Sequence, residues 1–163
     1  MYVISPERVK NKSVMGEMES IRAFLNQKNI AVAGVSRKKS KFGNAIFKEL
    51  SNKGYKLYPI NPHMQEFEGK KCYHDVQSLP DEVTGIVINT KDEISRKLIA
   101  DAGEKGIKHI WLQQGSLSKE SLRESWILND AIISGHCILM FADPHGIHGF
   151  HRWLKKSFGK FPN

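Results

Sequence analysis

The chain has 163 residues, 40% of them hydrophobic, and carries 25 Lys and Arg against 17 Asp and Glu, a formal net charge of +8. That length suits one domain with short extensions and a sizeable core, and the ordinary share of apolar residues, glycine and proline excludes a disordered body. No run approaches the ~18 apolar residues needed to cross a bilayer, and no apolar signal core with a small-residue cleavage site opens the chain, so a cytoplasmic, non-membrane protein is expected.

Residues 1–12 read as a loose lead-in. From Ser13, a candidate N-cap, Val14, Met18, Ile21, Phe24 and Leu25 recur at helical spacing and predict an amphipathic helix to about Gln27, its stripe packed on a sheet. The apolar run Ile30 to Val35 follows as a buried parallel strand. It delivers Gly34, Ser36 and a cationic stretch, Arg37, Lys38, Lys39 and Lys41, to a helix starting near Gly43. Backbone donors at such a helix start have no partner within the helix and face an anion well, so the stretch reads as a phosphate cradle. Cations in a loop are often mere solvated surface; their place directly after a buried strand favours the functional reading. The glycine spacing departs from the dinucleotide motif Gly-x-Gly-x-x-Gly, and no Gly-Lys-Ser/Thr of a P-loop is present.

Ala45, Ile46, Phe47 and Leu50 mark the first crossover helix, with Gly54 placed as its C-terminal cap. Tyr55 to Ile60 is the second strand, ending in Asn61-Pro62 where an NAD site would hold an acidic residue for the ribose. Met64 to Lys71 reads as a loop with one helical turn, Cys72-Tyr73 as a short extended piece, and Asp75 to Leu79 as another helical turn. Gly85 to Asn89 has the character of a central parallel strand. Thr90 with Glu93 predicts a capping box on the helix through Ile94, Leu98, Ile99 and Ala102, which stops at Gly103 or Gly106. Ile107 to Leu112 is the fourth strand, with Gln113-Gln114-Gly115 as its exit. A helix from Ser118 to about Asn129 and a fifth strand within 131–138, ending either before Gly135 or beyond it, complete the body. The alternation predicts a doubly wound α/β sheet of about five mainly parallel strands with helices on both faces. Ligands in such sheets bind beyond the strands' C-terminal ends, here Ser36, Asn61, Asn89, Gln113 and about His136.

Together the segments VAGVSRKKSKFGNAI at 32–46, GYKLYPINP at 54–62, EGKKCY at 68–73, IVINT at 86–90 and IKHIWLQQG at 107–115 resemble the CoA-binding protein family. These are small Rossmann-like domains similar to the CoA-binding domain of the succinyl-CoA synthetase alpha subunit. The resemblance implies a Rossmann-like sheet and bound coenzyme A or acyl-CoA. It places Gly34, Ser36, Arg37, Lys41 and Gly43 in the phosphate loop, where the charge of the loop adds Lys38, and Tyr58, Pro59, Asn61 and Pro62 at the second-strand exit beside the nucleotide. Asn89 and Thr90 fall at the third exit, and Trp111, Gln113 and Gly115 at the fourth, facing the same cleft. Cys137 matches a frequent family cysteine, but Gly135-His136 stands where members commonly carry Asp-Arg. The implied layout is an N-terminal extension over 1–28, a binding domain over 29–140 and a basic extension over 141–163.

A catalytic reading finds little support in the sequence. His109 lies inside a strand, His136 is better placed but lacks an evident carboxylate partner, and Ser36 suits a phosphate ligand better than a nucleophile. Cys72 and Cys137 have neither disulfide-framework nor metal spacing and read as small buried hydrophobes. Asp143, His145, His148 and His151 could gather on a helix, but Gly146 and Gly149 oppose that helix, so no metal site is expected. Noncatalytic binding of CoA or an acyl-CoA, as a sensor or carrier and as a homodimer, is the preferred expectation. Nucleic-acid binding through Lys155, Lys156 and Lys160 with Trp153, Phe158 and Phe161, or a redox sensor binding NAD(P) or another nucleotide, are the alternatives.

Overall fold

A computed structural model describes residues 14–121 and 132–142. The expected basic tail, its histidines, and most of the helix after Ser118 lie outside the described residues. In chain order the elements are α1 (Val14–Leu25), β1 (Asn29–Ala33), α2 (Phe42–Asn52), β2 (Lys56–Ile60), β3 (Glu66–Phe67), β4 (Lys70–Lys71), β5 (Gly85–Ile88), α3 (Asp92–Lys105), β6 (His109–Gln113), β7 (Ile132–His136) and α4 (Ile138–Ala142).

The main sheet has five strands in the order β2-β1-β5-β6-β7, every neighbouring pair parallel. Side-chain alternation divides the core between its faces. Ile30, Val32, Val87, Trp111 and Ile133 meet α1, α2 and α4 on one face, through Phe24, Ile46, Phe47, Leu50 and Ile138. Ala31, Ala33, Ile86, Ile88, Ile110 and Leu112 meet α3 on the other, through Leu98, Ile99 and Ala102. Burial on both faces is why these strands read as unbroken apolar runs. The doubly wound, Rossmann-like α/β architecture is therefore the one expected.

Order reverses between β1 and β5, since β1 leads outward to β2 and β5 leads the other way to β6. This is the switch point, where the two outgoing loops diverge and leave a crevice. α1 runs against the strand direction: a side chain at Gly85, the start of β5, would touch Phe24 and Gln27 near the C-terminal end of α1. Its first turn, with Glu17, thus lies toward the strand exits. Ile21 and Phe24 enter the core, but Met18 is 39% exposed, so the predicted apolar stripe is narrower than expected.

Local expectations differ in four places. Met64 to Lys71 holds a β3-β4 hairpin in place of a helical turn, because Glu68 and Gly69 both take positive φ (50° and 71°), the conformation a tight two-residue hairpin requires. Asp75 to Leu79 is a turn in which the Asp75 carboxylate accepts from the Ser78 amide at 2.8 Å, as a helix cap would, but Pro80 closes the stretch before a helix can follow. The capping box does not form: α3 starts after Lys91, and the Thr90 hydroxyl instead lies 2.7 Å from that of fully buried Ser95, which needs a partner there. β1 ends at Ala33, short of the expected Val35, although Val35 stays buried. Of the two expected ends for β7 the later holds, at His136.

Candidate functional site

At the switch point the backbone itself is packed too closely for side chains. Gly34 has φ of 116°, and a Cβ there would fall 2.3 Å from the carbonyl oxygen of Asn89. A Cβ on Gly43 would fall 2.2 Å from the carbonyl oxygen of Gly34. The exit of β1, the exit of β5 and the start of α2 therefore meet with nothing between them, which only glycine permits. The N-cap residue of α2, Lys41, makes no side-chain capping hydrogen bond of its own.

Residues 35–41 are held in shape by an amide that the sequence reading did not single out. Asn44 accepts from the Ser36 N–H (2.8 Å) and donates to the Ser36 carbonyl (2.8 Å) and the Lys38 carbonyl (3.1 Å). An Asn just inside a helix, beside a serine-containing loop, is the signal that could have revealed it. The Ser36 hydroxyl accepts from the Lys38 N–H at 3.2 Å and keeps its own proton to donate. Arg37, Lys38, Lys39 and Lys41 are exposed, and among the described residues none of them pairs with a carboxylate. Uncompensated cations beside a helix start make this loop the anion-attracting part of the exit face.

The other predicted residues divide into two groups. Asn61 joins the β2 exit to the β1 exit, donating to the Val35 carbonyl (2.8 Å) and accepting from the His63 N–H (2.8 Å). Arg37 reinforces this junction by donating to the His63 carbonyl at 2.7 Å, which leaves Pro62 exposed in the same turn. Asn89 and Thr90 follow β5 beneath Gly34. Gln113 is 4% exposed and accepts from the Ile138 N–H at 3.2 Å, so it supports the start of α4. Gly115 (φ 85°) turns the chain back, and the Ser116 hydroxyl ties this loop to the Ile88 carbonyl at 3.1 Å. Asp92 holds the next stretch, accepting from the Ser118 N–H at 2.8 Å and the Ser121 hydroxyl at 2.8 Å; the first of these bonds, with the second, pushes its carboxyl pKa down.

Tyr58 and Pro59 stand apart, buried within edge strand β2. The Tyr58 hydroxyl donates to Glu82 at 2.6 Å, beside Asn29 at the start of β1, and so lies toward the opposite end of the sheet. Glu82 also pairs with Lys56 at 2.9 Å, and this bond, aided by Tyr58, pushes the lysine pKa up to about 12. Trp111, expected to face the cleft, is fully buried against Phe24, their ring centres 5.4 Å apart. Its place on the inner face of a central strand makes it core. His109 lies at the start of β6, remote from the exits, and borders a depression of about 360 Å³ with Gln27, Thr84 and Lys108. Burial, then the Lys108 charge, pushes its pKa down. His136 does have a carboxylate partner after all, Glu17, at 3.0 Å. Cys72 and Cys137 are free thiols, both buried.

Residues 28–142 match the profile of a family described as a CoA binding domain. The chain belongs to this CoA-binding domain family. Among curated relatives, the acetate–CoA ligase (ADP-forming) I subunit alpha of Pyrococcus furiosus is 39% identical over 95 residues, covering 55% of this chain. The chain spans about a fifth of the length of the two P. furiosus ligase subunits it matches (19% and 21%). Among solved structures, a conserved hypothetical protein from P. furiosus is 36% identical with a TM-score of 0.63, covering 69% of this chain and 97% of that one. The dinucleotide-forming acetyl-coenzyme A synthetase 1 of Ca. Korarchaeum cryptofilum is 32% identical with a TM-score of 0.57, covering 68% of this chain and 25% of that one. The region shared with this chain thus makes up nearly all of the small hypothetical protein and about a quarter of the larger synthetase chain. Among the described residues no helix is long and apolar enough to cross a membrane.

Proposed function

We propose that this CoA-binding domain holds coenzyme A or an acyl-CoA as a sensor or carrier, without transforming the thioester. The pyrophosphate lies over the start of α2, where Gly34 and Gly43 let it approach the backbone and the Ser36 hydroxyl donates to it. Arg37, Lys38, Lys39 and Lys41 meet the remaining phosphate charge, including the phosphate on the ribose. Asn61, Pro62, Asn89 and Thr90 border the nucleotide, and Gln113 and Gly115 form the far wall.

The observation that carries this reading is the cationic loop at the switch point, whose Arg37, Lys38, Lys39 and Lys41 meet no carboxylate among the described residues, joined to a β2 exit with Asn61 where NAD would want a carboxylate. It favours a ligand with more phosphate than NAD carries. Calorimetric titration against CoA, dephospho-CoA and NAD tests it. CoA binds most tightly, dephospho-CoA loses about tenfold or more for one missing charge-assisted contact, and Arg37→Gln with Lys41→Gln removes that preference. Tighter binding of NAD than of CoA overturns it.

A further inference from the structure

Two features that the phosphate site does not use meet at the same end of the sheet. His136 closes β7, opposite Gln113 in register, and its Nε2 lies 3.0 Å from a carboxylate oxygen of Glu17 in the first turn of α1. Phe141 packs edge-on against the imidazole, ring centres 5.4 Å apart, and the Trp111 indole donates to the His136 carbonyl at 3.2 Å. Ring and backbone are thus both fixed, yet the two side chains remain 37% and 38% exposed. Beside a carboxylate, a neutral imidazole carries its proton on the nitrogen facing that carboxylate. Nδ1 therefore keeps the lone pair of a base.

The spacing along the sheet suggests what such a base would meet. From β1 to β7 there are three strand intervals, ~14 Å in all. The pantetheine arm of CoA, from pyrophosphate to sulfur, contains as many bonds as about four peptide residues, about 14 Å when extended. With the pyrophosphate over α2, an arm laid across the exits of β5 and β6 ends beside His136.

We propose that the Glu17–His136 pair is a base for the thiol of bound CoA, an assignment that rests on the CoA reading above. The S–H bond breaks, its proton forms an N–H bond at Nδ1, and the electron pair stays on sulfur as thiolate. No oxidant is needed, and the Glu17 carboxylate offsets the imidazolium charge. An acyl-CoA has no such proton, so the pair distinguishes the free cofactor from its thioesters and presents the free form as a nucleophile.

The test uses the full chain saturated with CoA at pH 7. Ultraviolet thiolate absorbance is recorded, and iodoacetamide alkylation of CoA is followed by mass spectrometry, which separates CoA adducts from those of Cys72 and Cys137. Bound CoA is expected to show thiolate absorbance and to alkylate about threefold faster than free CoA, the roughly tenfold gain in thiolate fraction for a thiol pKa lowered by one unit set against the weaker nucleophilicity of a less basic thiolate. His136→Gln abolishes both signals and Glu17→Gln reduces them, while calorimetry shows CoA still bound and circular dichroism shows both variants folded. Saturable binding with no thiolate signal, or the same signal in His136→Gln, overturns the assignment and leaves the binding reading intact. Absence of CoA binding to the unaltered chain overturns both.

Discussion

Replacing the glycines at the switch point separates two costs that usually occur together. At Gly34→Ala the new methyl meets the Asn89 carbonyl oxygen at 2.3 Å in a residue with φ of 116°. The strained backbone costs about 1–3 kcal/mol and the overpacking a further ~1–3 kcal/mol. Gly43→Ala carries only the second cost, since its φ is not positive and the obstacle is the Gly34 carbonyl oxygen at 2.2 Å. Gly115→Ala carries only the first, for its φ is 85° but no atom lies within 4 Å of the new Cβ. Urea unfolding followed by circular dichroism should therefore rank Gly34→Ala as the most destabilised, by roughly 2–6 kcal/mol against a typical total of about 5–15. The two single-cost variants should each lose less. Both obstacles are backbone carbonyls, which cannot swing away as a flexible side chain could. If Gly34→Ala proves no less stable than Gly115→Ala, the close meeting of the β1 exit, β5 exit and α2 start is wrong.

Three further outcomes follow from the same structure. Asn44→Ala removes the bonds that shape the cationic loop over residues 35–41 and should lower stability by about 1–2 kcal/mol and, on the proposed reading, weaken CoA binding as well; unchanged affinity by calorimetry would show that the loop does not need this clamp. Tyr58→Phe should leave the CoA dissociation constant unchanged, because the hydroxyl is spent on Glu82 away from the exits; a weakened titration would bring it back into the site. His109 has its pKa lowered by burial, so the unfolded chain takes up a proton that the folded chain resists. Its contribution to stability is intact above the ordinary value of 6.5, declines as pH falls through it, and is gone below the folded value; in His109→Gln, unfolding midpoints across that range should lose this share of the decline.

The fold was legible where burial dictated composition. Ile30 to Ala33 and Gly85 to Ile88 are apolar throughout because both faces of a central parallel strand are covered, and their short length between turn residues favours strand over helix. The cationic loop between β1 and α2 was legible because a run of charge directly after an apolar strand is a property of consecutive residues. What escaped depends on partners distant in the chain. The family resemblance placed Trp111 at a cleft-facing exit, but the pleat turns it onto the α1 face. The Glu17–His136 pair joins residues 119 positions apart, so the histidine seemed to lack a carboxylate. Thr90 and Glu93 have capping-box spacing, yet the buried hydroxyl of Ser95 claimed the threonine. The hairpin turn at Glu68-Gly69 was readable in principle from its Gly, but its strands are only two residues each, too short to show alternation.

Amide hydrogen exchange with and without saturating CoA examines the central claim residue by residue. Binding at the switch point predicts slowed exchange over Gly34 to Asn44, with smaller effects at Asn61, Asn89, Thr90 and Gly115 beyond the other exits. Protection confined to the opposite end of the sheet, around Gln27, Thr84 and Lys108, or no change at all in the loop, would contradict it.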